Sequence, residues 1–426
     1  MEQLMHLLEN SGSPYQVVDV CEKRLLEEGF EKLDWHMMLS PTYGMKYYMK
    51  PYPSMLIAFT TGKKRAFFHN IRMAAAHTDQ PCFRVKPNPE MLERGYMKVN
   101  VETYGGPILS TWMDRPLGLA GKVILRSEKV FEPKTVLFDS KRPIAIIPNL
   151  AIHMNREMNS GVELNKQKDM IPVLAMLSDK WNKDDYFVTY LAKELGVEKE
   201  EILDFDLYFY NLDKPELIGL DREFISSPRI DNLASCAALM DGIIHGYRDD
   251  GINMIMLYDN EEIGSRSKQG AGSNLIEVIL RAICMGMGQL EGQYMQTLAH
   301  SMYLSVDGGH AMHPNVPEKA DPTNKALLGK GVVLKMNGNQ RYATDSEMTG
   351  AIKQLMDKYE IPYQVGIDRS DMVGGSTLGP ILSAILPMRG ADMGIPMLAM
   401  HSSREMAAAA DYEALKRTIH AYFVEK

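Results

Sequence analysis

Cysteine is scarce in this chain of 426 residues: Cys21, Cys82, Cys236 and Cys284 lie far apart, with no Cys-x-x-Cys pair. That excludes a disulfide framework and a thiolate metal site, and predicts buried, reduced thiols. No apolar stretch approaches the roughly 18 residues of a membrane span, and Met1-Glu2-Gln3-Leu4 opens without a basic segment leading into an apolar core. A cytoplasmic protein with no membrane partner is the expectation. Long basic runs are also missing and the formal net charge is -8, which argues against nucleic acid as a partner. Repeats and low-complexity segments are lacking too. Methionine, by contrast, is abundant at 32 residues, a use that fits adaptable core filling.

The length exceeds the roughly 250 to 300 residues that one hydrophobic core fills, so two domains are expected. Ser13-Pro14 starts an amphipathic helix that ends near Gly29, and strands are predicted over 47–50, 55–60 and 66–76. The texture then turns to strand alternation, at 99–104, 121–125, 130–138 and 206–210, with a helix at 186–195 closed by Gly196. After Pro228, strands at 252–257 and 303–306 alternate with helices at 231–247, 274–287, 346–359, 377–386 and 404–423. This is an α/β pattern, predicting a mostly parallel sheet covered by helices. We assign residues 1–85 and 229–426 to that domain and 86–228 to an inserted, β-rich one.

Chemistry concentrates where apolar runs stop. The run 252–257 leads into Tyr258-Asp259-Asn260-Glu261-Glu262-Ile263-Gly264, and three further runs stop at His77, Asp307 and His401. Ligands gather outside the carboxyl ends of strands in open α/β sheets, so these residues are placed to hold cations. Paired divalent metals need several imidazole and carboxylate donors. His77, Asp231, Glu262, Asp307 and His401 are the candidates, with Asp231 suited either to bridge two metals or to cap the helix it opens. Asp79 is placed to hydrogen-bond the His77 ring or to serve as a turn residue before Pro81. Consecutive loop carboxylates point in different directions, which leaves Glu261 free as a general base. His310 and His313 read as pocket-lining groups.

These residues resemble the aspartyl aminopeptidase family, within the group of two-zinc aminopeptidases that share one α/β fold. The likeness rests on His77-Thr78-Asp79, Ser227-Pro228-Arg229-Ile230-Asp231-Asn232-Leu233, Asp259-Asn260-Glu261-Glu262-Ile263-Gly264-Ser265, His310-Ala311-Met312-His313-Pro314-Asn315, Gln340-Arg341-Tyr342 and Met400-His401-Ser402-Ser403-Arg404-Glu405-Met406, and it spans nearly the whole chain. It implies that His77 and Asp307 bind one metal, Glu262 and His401 the other, with Asp231 bridging and Glu261 as base. The metals would be zinc, with cobalt or manganese equally suited to such ligands. Small peptides with a free N-terminus are the implied substrates. The resemblance also makes the insertion a dimerisation domain, implies a homo-oligomer that is a tetrahedral dodecamer built from dimers, and sends His153 into a neighbouring subunit's site.

Two departures stand out. Gly308-Gly309 follows Asp307 where relatives carry bulkier residues, predicting a looser backbone. Asn339 replaces a lysine that acid-selective relatives use for the substrate carboxylate, so acceptance of neutral residues such as Leu beside Asp and Glu is expected, with Lys335 and Arg341 near enough to compensate. A two-zinc deacylase and an inactive assembly scaffold are the rival readings. A glycosidase acid pair is disfavoured, because such carboxylates face each other across a sugar at about 5 Å or more.

Overall fold

The computed structural model describes residues 1–65, 70–178 and 184–426. Its strands are β1 (Glu31–Lys32), β2 (Lys46–Tyr52), β3 (Met55–Thr61), β4 (Ile71–His77), β5 (Cys82–Glu93), β6 (Tyr96–Tyr104), β7 (Leu117–Leu125), β8 (Lys134–Asp139), β9 (Val173–Met176), β10 (Ile202–Asn211), β11 (Glu216–Ile218), β12 (Phe224–Ser227), β13 (Ile252–Tyr258), β14 (Met302–Val306), β15 (Gly309–His310), β16 (Val332–Lys335), β17 (Tyr363–Gly366), β18 (Arg389–Gly394), β19 (Pro396–Leu398) and β20 (Glu405–Ala408). Its α-helices are α1 (Glu2–Asn10), α2 (Pro14–Glu27), α3 (Tyr186–Leu195), α4 (Ile230–His245), α5 (Leu275–Gly286), α6 (Glu291–His300), α7 (Ser346–Lys358), α8 (Leu378–Ile385) and α9 (Ala409–Val424).

Nine strands make the main sheet, in the order β1-β2-β3-β13-β4-β14-β18-β16-β17. Its centre is parallel, from β13 through β4 and β14 to β18, while β2–β3, β3–β13 and β16–β18 run antiparallel. Central strands are covered on both faces, which is why β13 reads as an unbroken apolar run. Its side chains divide by parity. Ile255 and Leu257 join the core built with α4 and α9, whereas Met254, Met256 and Tyr258 join the core built with α5, α6 and α8. Each such buried side chain contributes roughly 1.5–3 kcal/mol relative to exposure.

Parallel pairing brings the carboxyl ends of β4, β13 and β14 to one edge. Tyr258 pairs with His77 and Ser305 with Ala75, so Asp307, two residues beyond Ser305, comes level with His77. A second, five-stranded sheet, β11-β12-β20-β19-β15, ties the entry to α4 against the turn that carries His401.

The third sheet, β8-β7-β10-β5-β6-β9, is antiparallel and draws on residues 82–211 alone. Its strands thus begin four residues before the 86 of the sequence reading. At the other end β11 and β12, assigned there to the insertion, pair with β20 instead. Helix α3 packs Phe187 and Leu191 onto this sheet, and Gly196 closes it in the left-handed conformation.

Three other expectations change. The predicted helix 404–423 begins only at Ala409, because Glu405 is held extended in β20 by two backbone N–H groups that it accepts. The strand predicted at 130–138 starts at Lys134, since the Ser127 hydroxyl closes a turn on Glu132 and leaves Val130 and Phe131 exposed ahead of Pro133. Helix α1 was not anticipated; Leu4, Leu7 and Leu8 bury one face of it. Residues 66–69 of the predicted third strand, His69 included, lie outside the described residues. Among the described residues no helix is long and apolar enough to cross a membrane.

Candidate metal centre

His77, the last residue of β4, is buried with its Nε2 3.6 Å from Asp231 Oδ1 and 3.5 Å from Asp307 Oδ1. Across from it, His401 Nε2 lies 3.5 Å from Asp231 Oδ2 and 3.3 Å from Glu262 Oε2. Two groups of three donors result, His77–Asp231–Asp307 and Asp231–Glu262–His401, each with its ligand atoms within 4.8 Å of one another. Asp231 gives one oxygen to each group. The N-cap position of α4 is Arg229, and the two Asp231 oxygens lie toward the two imidazoles.

These contacts are long for hydrogen bonds, which run to about 3.2 Å for N–H···O. They match donors around a shared ion: two ligands at ~2 Å from a tetrahedral zinc stand roughly 3.3 Å apart. Asp231 Oδ1 and Glu262 Oε1 are buried without a hydrogen-bond partner among the described residues, a costly state for a carboxylate unless a cation is bound. Charge agrees with geometry. Burial, then the charge of Asp231, pushes the Glu262 carboxyl well above its ordinary range, although His77 opposes this. Burial also lifts Glu261, to about 8, with His77 opposing and Asp307, Asp79 and Asp231 adding. Such crowding of acids calls for positive charge, and the donor set fits a pair of divalent ions.

The ligands are held from behind. His77 Nδ1 faces the Asp79 carbonyl at 3.1 Å and its carboxylate at 3.4 Å, leaving Nε2 toward the acids. His401 Nδ1 sits 3.1 Å from the Gly106 carbonyl, which fixes that ring in the same sense. Glu405 Oε2 accepts the Asp231 N–H at 3.0 Å and its Oε1 accepts the His401 N–H at 2.9 Å, so one buried carboxylate ties a ligand of each group to the five-stranded sheet. Burial, then the charge of Asp231, raises Glu405 to about 8. Arg229, Asn260 and His401 all adopt positive φ, at 64°, 63° and 67°, where the chain turns sharply to deliver neighbouring side chains.

The model of the family "Aminopeptidase I zinc metalloprotease (M18)" matches residues 7–423. The chain belongs to the M18 family. A probable M18 family aminopeptidase 2 of Clostridium novyi is 43% identical over 411 residues, covering 96% of this chain and 95% of that protein. Among solved structures, the one of the Ape4 and Nbr1 complex superposes with a TM-score of 0.93 at 32% identity, over 99% of this chain and 84% of that one. The S. cerevisiae mApe1 dodecamer gives 0.87 at 25%, over 99% and 95%. This M18 chain is therefore an aminopeptidase, a peptide hydrolase of a zinc metalloprotease family.

Beside the candidate metal centre lies a cavity of about 270 Å³, lined by His310, Lys335, Tyr342, Val333, Met312 and Met372 among others. Lys335 Nζ stands 3.9 Å from Asp307 Oδ2 and 5.4 Å above the Tyr342 ring. Burial works against its charge, but Asp307 and Tyr342 more than offset this and raise its pKa. Lys319, Lys325 and Arg369 also line this cavity, and Lys335 is the buried cation of its wall, the one that stands against Asp307. Asn339 does not line the cavity; it sits exposed in a turn, its N–H bonded to Asn337 Oδ1. Arg341 is also absent from the lining and donates to the carbonyl of Gly374, a residue of the wall itself. Nor is the backbone after Asp307 loose. A Cβ on Gly308 would lie 2.7 Å from Met397 Sδ and 3.1 Å from Met400 Cε, so glycine there permits close packing.

His153 occupies an exposed turn of the inserted segment and joins neither donor group in its own chain. Sequence reasoning missed Glu405, Tyr104 and the central place of Lys335. Glu405 carried a signal, an acid four residues after His401, that the mistaken helix concealed.

Proposed function

We propose that this chain removes the N-terminal residue from small peptides with two divalent ions, one held by His77 and Asp307, the other by Glu262 and His401, with Asp231 between them. The division of Asp231, one oxygen toward each imidazole, is the observation that carries this reading. Imidazole and carboxylate donors without thiolate suit zinc, cobalt or manganese. Two such ions supply Lewis acidity for a peptide carbonyl and bring the pKa of water towards neutrality.

The chain's own residues do the rest. Glu261 takes the proton of the attacking water on its carboxylate and returns it to the leaving amine, as a general base of near-neutral pKa does. Its buried setting keeps that pKa above the usual carboxylate range. Asp79 holds the loop, its Oδ1 and Oδ2 accepting the N–H groups of Glu261 and Glu262 at 3.1 Å each. The surplus of acids welcomes the α-ammonium of a free N-terminus. Lys335 offers its charge to Asp or Glu side chains, while Val333, Met312 and Met372 accept neutral ones such as Leu.

The inserted segment serves assembly in this reading, as a dimerisation domain within a tetrahedral dodecamer, the dodecamer being the state of S. cerevisiae mApe1. His153 supports it through its neighbours: Leu150, Ile152 and Met154 are 47%, 47% and 74% exposed, an apolar turn that gains from being covered.

The test combines metal analysis with turnover of free-amine Asp and Leu amides. Two ions per chain, chelator-sensitive turnover, inert acetyl-blocked substrates and loss of kcat by ~10²-fold or more in Glu261→Gln with metal retained are expected. Turnover of blocked substrates would replace this reading with a deacylase, and full activity with one ion would remove the bridge.

A further inference from the structure

The inserted sheet reaches into the metal centre through its strand β6. Tyr104, the last residue of that strand, is buried, and its hydroxyl donates to Asp79 Oδ2 at 2.8 Å. The same oxygen accepts from Asn260 Nδ2 at 2.8 Å, and Asn260 Oδ1 accepts from Ser267 Oγ at 2.7 Å. Tyr104 therefore holds the base-bearing loop both directly, at Asn260, and through Asp79, which accepts the loop's N–H groups. On one side stands Asp79, the acceptor of the Glu261 and Glu262 N–H groups. On the other stands Asn260, directly before Glu261, at a φ of 63°, in the left-handed region that asparagine tolerates better than most residues.

The approach is close along the following residues as well. A Cβ on Gly105 would lie 3.2 Å from Glu262 Cβ. Gly106 faces the His401 ring through its carbonyl, and the Ile108 N–H donates to the His401 carbonyl at 2.9 Å. Edge-on packing against Tyr208 of β10, with ring centroids 5.7 Å apart at 82°, fixes the Tyr104 ring independently of its hydroxyl.

We propose that Tyr104, carried by the inserted sheet, is a positioning residue that aims Glu261 by bonding Asp79 and Asn260 at once. The residues its hydroxyl bonds, Asp79 and Asn260, are not among the candidate metal donors. Its hydroxyl gives Asp79 a donor beyond the two loop N–H groups and satisfies an amide that burial would otherwise leave unpaired. Phenylalanine keeps the ring packing and removes only these two bonds. The loop then loses its anchor, and the base loses its aim more than the ligands lose their places.

The test rests on Glu261 acting as base, as proposed above. Tyr104→Phe is compared with wild type for kcat, KM, bound metal and Tm. We expect kcat to fall about tenfold or more, the usual effect of removing a group that orients a site from behind, with bound metal unchanged. KM should stay within about twofold, because ground-state binding is untouched. Asn260→Ala should match it, and the double variant should cost little more than either single one, since both release one loop. Tyr186→Phe, which removes a hydroxyl bonded to Lys98 O elsewhere in the inserted sheet, controls for general loosening and should lower Tm without changing kcat. An unchanged kcat in Tyr104→Phe, a loss that tracks loss of metal, or strictly additive single effects would each overturn the inference. If instead Glu261→Gln keeps wild-type turnover, the assignment of the base fails first and the two failures are told apart.

Discussion

Lys335 shows how much one buried side chain decides. Its ammonium lies between Asp307, a metal-ligand candidate, and the cavity proposed to take the substrate side chain, and a hydrogen bond to a charged group contributes about 1.5–3 kcal/mol. Lys335→Met should therefore lower kcat/KM for an Asp amide relative to a Leu amide by roughly tenfold to a hundredfold. Asn339→Lys, by contrast, should leave that ratio unchanged, because the residue is exposed in its turn and outside the cavity wall. A ratio that moves with Asn339 and ignores Lys335 would return specificity to the turn. Single residues were legible where local pattern marks them. His77, Asp307 and Glu262 each follow an apolar run, and the structure gathers them. Tyr104 and Glu405 act through bonds to residues 156 and 174 positions away, a relation that no local pattern carries.

Helices and strands follow the same rule, with legibility ending where tertiary bonds override propensity. The central strands and α4, α5, α7 and α8 fall close to their predicted places because burial on one or both faces writes a period into the sequence. Residues 405–408 break it, since Glu405 spends its carboxylate on two backbone N–H groups. Element docking can be tested at Glu22 on α2. It accepts from Lys32 of β1 at 2.8 Å, from Lys50 of β2 at 2.5 Å and from the Tyr48 hydroxyl at 3.1 Å. Burial pushes its pKa up, yet the two lysines outweigh this and hold it below the ordinary glutamate value. A depressed carboxylate adds stability that is fully present above the unfolded value and drains as pH falls through the lower folded one. Glu22→Gln should thus lower Tm at pH 7 by the equivalent of about 1 kcal/mol, the upper range for partly exposed pairs. The two melting curves should converge below pH 4.5; a gap that persists or widens in acid would show that packing, not charge, joins α2 to the sheet.

At the scale of the whole molecule, the inserted sheet faces two ways. Through Tyr104 and Gly106 it enters its own subunit's metal centre, while the turn of Leu150, Ile152, His153 and Met154 points apolar side chains into solvent. If that turn docks on a second copy about a two-fold axis, His153 of each subunit serves its neighbour's site, so the His153 and Glu261 of one chain belong to different sites of the dimer. Alone, His153→Ala and Glu261→Gln should each be nearly inactive. In a mixed dimer one site carries both lesions, and the other combines Glu261 of the first chain with His153 of the second. Equal co-expression should therefore restore roughly a quarter of wild-type sites, since half of randomly paired dimers are mixed and each holds one intact site. Turnover per chain, with size-exclusion chromatography confirming assembly, gives the measurement. Activity no greater than the sum of the single variants would place His153 outside the partner's site and leave the apolar turn with a packing role only.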